Sequence, residues 1–425
     1  MERNYYDYKE TYIKLKMNIE SLLYEPLTPN ENTRIGVVVL HSHGNYLRFS
    51  AGAELAKRGF RVLCSATKGE GETMENKLLD VKVNVEFMRE QKGIDKIILL
   101  SHSGGASLIS CYQTVAEKGT GIHRVPERIV PLGDVGELPA GDAVVFLDSN
   151  WGNGILTLLS MDPAVTSETS GRGLNPEYDL YDPKNGYNPE DPLGSDYSEE
   201  FIRKYLRAQK QRNDAVVNRA LVRLEAINAG YGDFEDDEPF FVPGGAVTTN
   251  KLFPLDLRLL CRTKKERDLL HADGSVTRGI VPMIMKPIRR PKNPSSFTMN
   301  MQACRTTVKS FLTNYSVRAT DELYYDADTL YGIDYDSTFC STTANVRFMD
   351  APTLLMGMTG GYGVCNNEHI FENLAAKDKT LMYVEGATHM FTPNKDVEAY
   401  PGQFGDTVKL VYDYVDEWVN SNNRI

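Results

Sequence analysis

Positive charge is scarce in this chain. Against 58 acidic residues the 425-residue sequence sets 47 lysines and arginines, a formal net charge of −11, and no long Lys/Arg run interrupts it. Such a surface repels phosphate backbones and anionic headgroups, so neither nucleic acid nor a membrane surface is an expected partner. Long apolar runs are missing too: no stretch approaches the roughly 18 residues a membrane span requires. Met1–Asp7 lacks the apolar core of a signal segment, and the expected compartment is the cytoplasm. Cysteines are few: Cys64, Cys111, Cys261, Cys304, Cys340 and Cys365 are scattered without C-x-x-C spacing. That excludes a disulfide scaffold and the common structural zinc arrangement, and leaves most of them as buried thiols. Histidines number only seven, so candidates for a general base are few. What the chain does have is length and 41% hydrophobic content, enough for one sizeable core and an added domain.

Its first half alternates apolar runs with helical patterns. Arg34–Leu40 reads as a strand buried on both faces and ends in the turn His41-Ser42-His43-Gly44-Asn45. A short helix over Ala51–Gly59 leads to a strand over Phe60–Ser65, and Met74–Gln91 reads as a longer helix with Leu78, Val81, Val85 and Met88 on one face. Strands and helices at this spacing predict a mostly parallel sheet covered on both sides.

Between the strand Lys96–Leu100 and a following helix lies Ser101-His102-Ser103-Gly104-Gly105. A serine on a sharp strand-to-helix turn is held out of the backbone for attack, and the turn needs tiny residues two positions either side. Ser101 and Gly105 supply them, so Ser103 is the expected nucleophile. A later strand, Thr380–Val384, runs into Glu385-Gly386-Ala387-Thr388-His389. That turn carries a histidine to the C-terminal edge of the sheet, where ligands and catalysts gather in open α/β folds. His389 is therefore the expected base, taking the Ser103 proton and returning it to a leaving group.

These pieces, in this order, resemble the α/β-hydrolase superfamily over residues 30 to 160 and 346 to 422, and among its members most resemble a bacterial branch. The resemblance implies an α/β-hydrolase fold: a mostly parallel doubly wound sheet with a large, mainly helical cap inserted after the sixth strand, Asp142–Asp148. The core is then 1–150 with 346–425, and the cap 151–345. Within the cap, Ser198 reads as the N-cap of a long helix to about Ile227, and Asp233–Glu238 as a solvated loop. Arg289-Arg290-Pro291-Lys292 reads as a solvated basic turn. The alternative for the insertion is a dimerisation surface, which leaves a homodimer open.

The acid departs from the family's commonest pattern. Relatives place it after the strand that here ends at Gly357, but Met358–Gly363 holds no carboxylate. Some lipases of the superfamily carry it one strand earlier, which implies Asp148; Glu368 is the alternative acid. For the oxyanion hole the resemblance implies the backbone N–H of Gly104, with a second donor from Ser42 or, preferably, His43. Two histidines flanking Ser42 also suggest a metal site, but no third ligand lies nearby in sequence, so no metal and no cofactor are expected. The implied activity is serine hydrolysis of an ester, lactone or related carbonyl of a small organic molecule. The 23 tyrosines and 16 phenylalanines suit a pocket for an apolar or aromatic substrate, and equally an ordinary cap core. Two alternatives remain: hydrolysis of a carbon–carbon bond beside a ketone, which uses the same layout, and a ligand-binding protein on a disabled hydrolase scaffold.

Overall fold

The computed structural model describes residues 2–4, 7–69, 71–170, 173–188, 190, 196–245, 258–286, 303–421 and 424–425. The basic turn at 289–292 lies outside them. The N-terminal strands are β1 (Glu2–Asn4), β2 (Tyr8–Lys14) and β3 (Glu20–Pro26). Then come β4 (Ile35–Val39), helix α1 (Ser50–Lys57), β5 (Arg61–Ser65), α2 (Met74–Arg89), β6 (Lys96–His102), α3 (Gly105–Lys118) and β7 (Ala143–Leu147). The insertion contributes α4 (Asn153–Ser160), α5 (Glu199–Asn228), β8 (Pro239–Val242), β9 (Arg267–Leu270), β10 (Val276–Gly279) and β11 (Cys304–Thr307). It continues with α6 (Val308–Asn314), β12 (Arg318–Tyr325), β13 (Leu330–Asp334) and α7 (Thr342–Val346). After it come β14 (Thr353–Met358), α8 (Val364–Asn373), β15 (Lys379–Val384) and α9 (Thr407–Asn420).

The central sheet runs β1-β2-β3-β5-β4-β6-β7-β14-β15-β9-β10. From β5 to β9 every neighbouring pair is parallel, with antiparallel pairs at both ends. Every residue of β4, β7 and β14 is buried, as expected of strands covered on both faces. Successive side chains alternate between two cores. Val38, Ile97, Leu99, Val144 and Phe146 meet α2 and α3 on one side through Leu78, Val81, Val85 and Leu108. Val37, Val39, Ile98, Leu100 and Val145 meet α1 and α9 on the other through Leu55, Val411, Tyr412 and Val415. The doubly wound, mostly parallel sheet expected from the sequence is therefore the fold that forms. Ser198 caps α5, accepting the Phe201 N–H at 3.2 Å.

The insertion holds a cluster of its own around Ile155, Leu158, Tyr205, Leu206 and Tyr325, while Val216, Val217 and Phe311 join the first core. Part of the 151–345 division needs correcting: β9 and β10 are members of the central sheet. The physical reason is the row of unpaired backbone groups that an open parallel sheet leaves at its edge. β9 satisfies that row on β15, pairing Met382 with Asp268 and Val384 with Leu270. The acidic loop also differs at its end, where Glu238 is buried against Arg223 at 2.6 Å. Among the described residues no helix is long and apolar enough to cross a membrane.

Candidate active site

Ser103 sits on the elbow between β6 and α3 with φ +55°, a left-handed backbone that costs a non-glycine residue energy. Neighbouring strand ends hold it there: Ser103 N–H donates to Leu147 O at 3.1 Å, and Asn150 N–H donates to Ser103 O at 3.3 Å. The need for small residues is visible at Gly105. A Cβ there would lie 2.9 Å from Leu40 O and 3.1 Å from His41 Cα, because the end of β4 passes directly against the start of α3.

Asp148 ends β7, beside the elbow, also at positive φ (+43°). One carboxylate oxygen accepts the Met358 N–H at 3.0 Å; the other receives Nδ1 of His389 at 2.5 Å. The Asp148 side chain is fully buried and that of His389 is 47% exposed. Burial pulls the His389 imidazole down, but the hydrogen bond and charge of Asp148 outweigh it, so the pKa lies above the ordinary 6.5. A carboxylate at Nδ1 fixes the tautomer, keeping the proton on Nδ1 and leaving Nε2 as the acceptor. Among the described residues, neither the Ser103 hydroxyl nor His389 Nε2 makes a hydrogen bond.

The carboxylate of Asp148 occupies the space that the turn after β14 vacates. A Cβ on Gly363 would meet Asp148 Oδ1 at 2.3 Å, and one on Gly361 would meet Oδ2 at 3.2 Å. The two glycines thus leave the room that a carboxylate carried one strand earlier occupies. Glu368, the alternative acid, is elsewhere. It is buried in α8 and takes the N–H groups of Lys264 and Lys265 at 2.6 and 3.0 Å and the Arg267 guanidinium at 2.8 Å. Its charge pins the segment leading into β9, and it makes no contact with His389 among the described residues.

His102 supports the His389 loop from below. Its Nε2 contacts His389 O at 2.8 Å and its Nδ1 contacts the Tyr46 hydroxyl at 2.8 Å. Burial holds it neutral, its pKa well below 6.5, so Nε2 donates to the carbonyl and Nδ1 accepts from the phenol. Phe391, buried at φ +67°, completes the support. The sequence reads His102 as packing beside the elbow, while nothing in it marked Phe391.

The turn behind the elbow folds back on itself. His41 Nδ1 lies 2.5 Å from His43 O and 3.0 Å from His43 N, and the His41 ring stacks on Tyr46 at 4.6 Å. The backbone N–H groups of Ser42 and Gly104 make no hydrogen bond among the described residues. Ser42 also lies against Gly104, where a Cβ would come 3.3 Å from its Oγ. The rings of His41 and His43 sit 6.1 Å apart, and among the described residues no cluster of three or more His, Cys, Asp or Glu gathers. Burial holds both rings neutral, His41 at about 4 and His43 well below 6.5.

The insertion reaches this edge of the sheet. Tyr315 meets His43, Ile284 N–H donates to Thr359 O at 2.6 Å, and Asn394 donates to Ile284 O at 3.3 Å. A cavity of about 770 Å³ is lined by Leu22, Tyr46, Leu47, Phe49 and Met390, with the Arg48–Glu10 ion pair in its wall; neither Ser103 nor His389 lines it.

No family model matches the chain, and no curated protein does. Solved structures align over nearly all of it at low similarity. A hypothetical protein from Pseudomonas aeruginosa shares 12% identity, covering 96% of this chain and 93% of its own, at a TM-score of 0.40. A monoacylglycerol lipase of Paleococcus ferrophilus shares 14%, covering 95% and 100%, at 0.36. Est1E of Butyrivibrio proteoclasticus shares 11%, covering 96% of each chain, at 0.37. Scores this low carry no argument, and the assignment stands on the molecule's own topology. With a mostly parallel sheet wound on both faces, a serine on the strained strand-to-helix elbow, and serine, aspartate and histidine following in that chain order, the protein has the α/β-hydrolase fold.

Proposed function

We propose that the protein is a serine hydrolase that cleaves an ester, lactone or related carbonyl bond of a small apolar or aromatic molecule through an acyl-enzyme. The observation that carries this reading is the 2.5 Å pair of buried Asp148 and His389 beside the strained Ser103 elbow. In this scheme Ser103 Oγ attacks the carbonyl carbon and its proton passes to His389 Nε2. Asp148 stabilises the imidazolium, and the N–H groups of Gly104 and Ser42 receive the developing oxyanion. His389 then protonates the leaving group, and water repeats the sequence to release the acid. The ligand-binding alternative leaned on the missing late carboxylate, and the filling of that space by Asp148 weighs against it. Residues 151–345, apart from β9 and β10, act in this reading as a cap over the sheet edge.

The test is fluorophosphonate labelling together with turnover of p-nitrophenyl esters. Wild-type protein is expected to label, and Ser103→Ala to lose labelling and about 10⁶ in turnover, with an unchanged circular dichroism spectrum. Retention of more than about a tenth of the activity would remove Ser103 from this role.

A further inference from the structure

Behind Gly104 a chain of polar contacts crosses from the core into the insertion. Ser42 Oγ lies 2.8 Å from His43 Nδ1, and Asn153 Nδ2 donates to the same Oγ at 3.3 Å. The other imidazole nitrogen, Nε2, is in short contact with the hydroxyl of Tyr315, just past α6. Tyr315 is held firmly. The end of α6 is tied to the start of α2 by Lys77 Nζ donating to Asn314 Oδ1 at 3.1 Å, Asn314 Nδ2 donating to Glu72 O at 3.0 Å, and Met74 N–H donating to Thr313 Oγ1 at 3.2 Å.

A neutral imidazole has one donor and one acceptor, so the chain admits two proton arrangements. In one, Ser42 gives its proton to His43 Nδ1, and Nε2–H points at the phenol oxygen. In the other, the phenol donates to Nε2 and Nδ1–H donates to Ser42 Oγ. A phenol is far more acidic than an alkyl hydroxyl and is the better donor, which favours the second. Ser42 Oγ then accepts from both His43 and Asn153. With its lone pairs filled, its own proton is free to turn toward Gly104, the residue it touches beside the nucleophile.

We propose that the Ser42 hydroxyl is a third oxyanion donor, aimed by His43 and by Tyr315 of the insertion; this rests on the serine-hydrolase reading above. Ser42 is the catalytic group, while His43 and Tyr315 are positioning residues. The insertion thereby does more than cover the site, since it sets the proton direction inside it.

A double-mutant cycle tests this with a p-nitrophenyl ester. Ser42→Ala is expected to lower kcat by roughly 10²-fold with KM little changed, as for loss of one oxyanion-hole donor. Tyr315→Phe keeps the buried ring and removes only the hydroxyl; it is expected to lower kcat by roughly 10-fold or more, with an unaltered melting temperature. Because Tyr315 acts through Ser42, the double variant is expected to be no slower than Ser42→Ala alone. Additive losses, or a Tyr315→Phe enzyme with wild-type kcat, overturn the relay. If Tyr315→Phe does not fold, His43→Gln replaces it in the cycle, with the same criteria. Wild-type protein that neither labels with fluorophosphonate nor turns over ester overturns the hydrolase reading and the relay with it. Labelling and turnover with an additive cycle overturn the relay alone.

Discussion

Asp148→Asn is the sharpest perturbation of the proposed machinery, because the surroundings dictate which way the new amide turns. Met358 N–H is buried and donates to Oδ1; an unsatisfied donor there costs about 1–3 kcal/mol. The amide oxygen therefore stays on Met358, and its NH₂ faces His389 Nδ1. An NH₂ group donates to Nδ1, which drives the ring proton to Nε2, the nitrogen that must accept from Ser103. Imposing the wrong tautomer in this manner costs about 10⁴ in kcat. The pH profile carries a second signature. Asp148 is what lifts His389 above 6.5 against its burial, so in wild-type protein the acid limb of kcat/KM falls above that value. In Asp148→Asn only the burial contribution survives, and the limb of the residual activity moves to lower pH. Initial rates on a p-nitrophenyl ester across the pH range, with circular dichroism to confirm the fold, measure both effects. A variant that keeps more than about a tenth of the wild-type rate, or an acid limb that stays in place, refutes the assignment of Asp148 as the acid.

Further perturbations separate the site from its supports. Gly363→Ala puts a methyl group 2.3 Å from Asp148 Oδ1, and since a displacement of about 1 Å at a catalytic group costs up to about 10², kcat is expected to fall far more than the melting temperature. Glu368→Gln removes one of the two carboxylates on Arg267, which keeps its pair with Glu372; a loss of about 1–3 kcal/mol is expected from denaturant titration, with normal kcat in the folded fraction, whereas a severe kcat loss there would make Glu368 the acid after all. The raised pKa of His389 also links stability to pH. Its contribution is fully present below about 6.5 and fades as pH rises through the folded value, so the melting temperature is expected to lose this increment on the alkaline side in wild-type protein but not in His389→Gln. Excising 151–345 removes β9 and β10 from the sheet, and the truncated chain is expected to elute as aggregate on gel filtration.

Where sequence reading succeeded, the information was local. The strand–serine–helix pattern at 96–118 needed only apolar residues and small neighbours, and Ser198 before two glutamates marked the start of α5. Asp148 was readable as an aspartate ending a strand, though the reason it works lies in Gly361 and Gly363, more than two hundred residues away. Strands β2 and β3 escaped notice because their charged residues, Lys9, Glu10, Lys14, Glu20 and Glu25, break the apolar runs that marked the central strands. β9 was equally hidden, since edge strands are polar and its parallel partner, β15, is remote in sequence. The turn over 41–45 was legible as a turn, but the folding of the His41 ring back onto His43 has no sequence signature. Tyr315 carried no local mark either; its role depends on how α6 is tied to α2.

The pairing of Asp148 with His389 spans 241 positions, and that separation acts during synthesis. At roughly 5–20 residues per second, a ribosome takes on the order of 10–50 s to travel from the acid to the histidine. Throughout that interval the nascent chain contains Ser103 and Asp148 but not His389. β7 meanwhile lacks β14, the neighbour against which its end is registered, and β9, although made earlier, has no parallel partner until β15 emerges. In the serine-hydrolase reading, the nucleophile stays unarmed until β15, the strand that delivers His389, has been made.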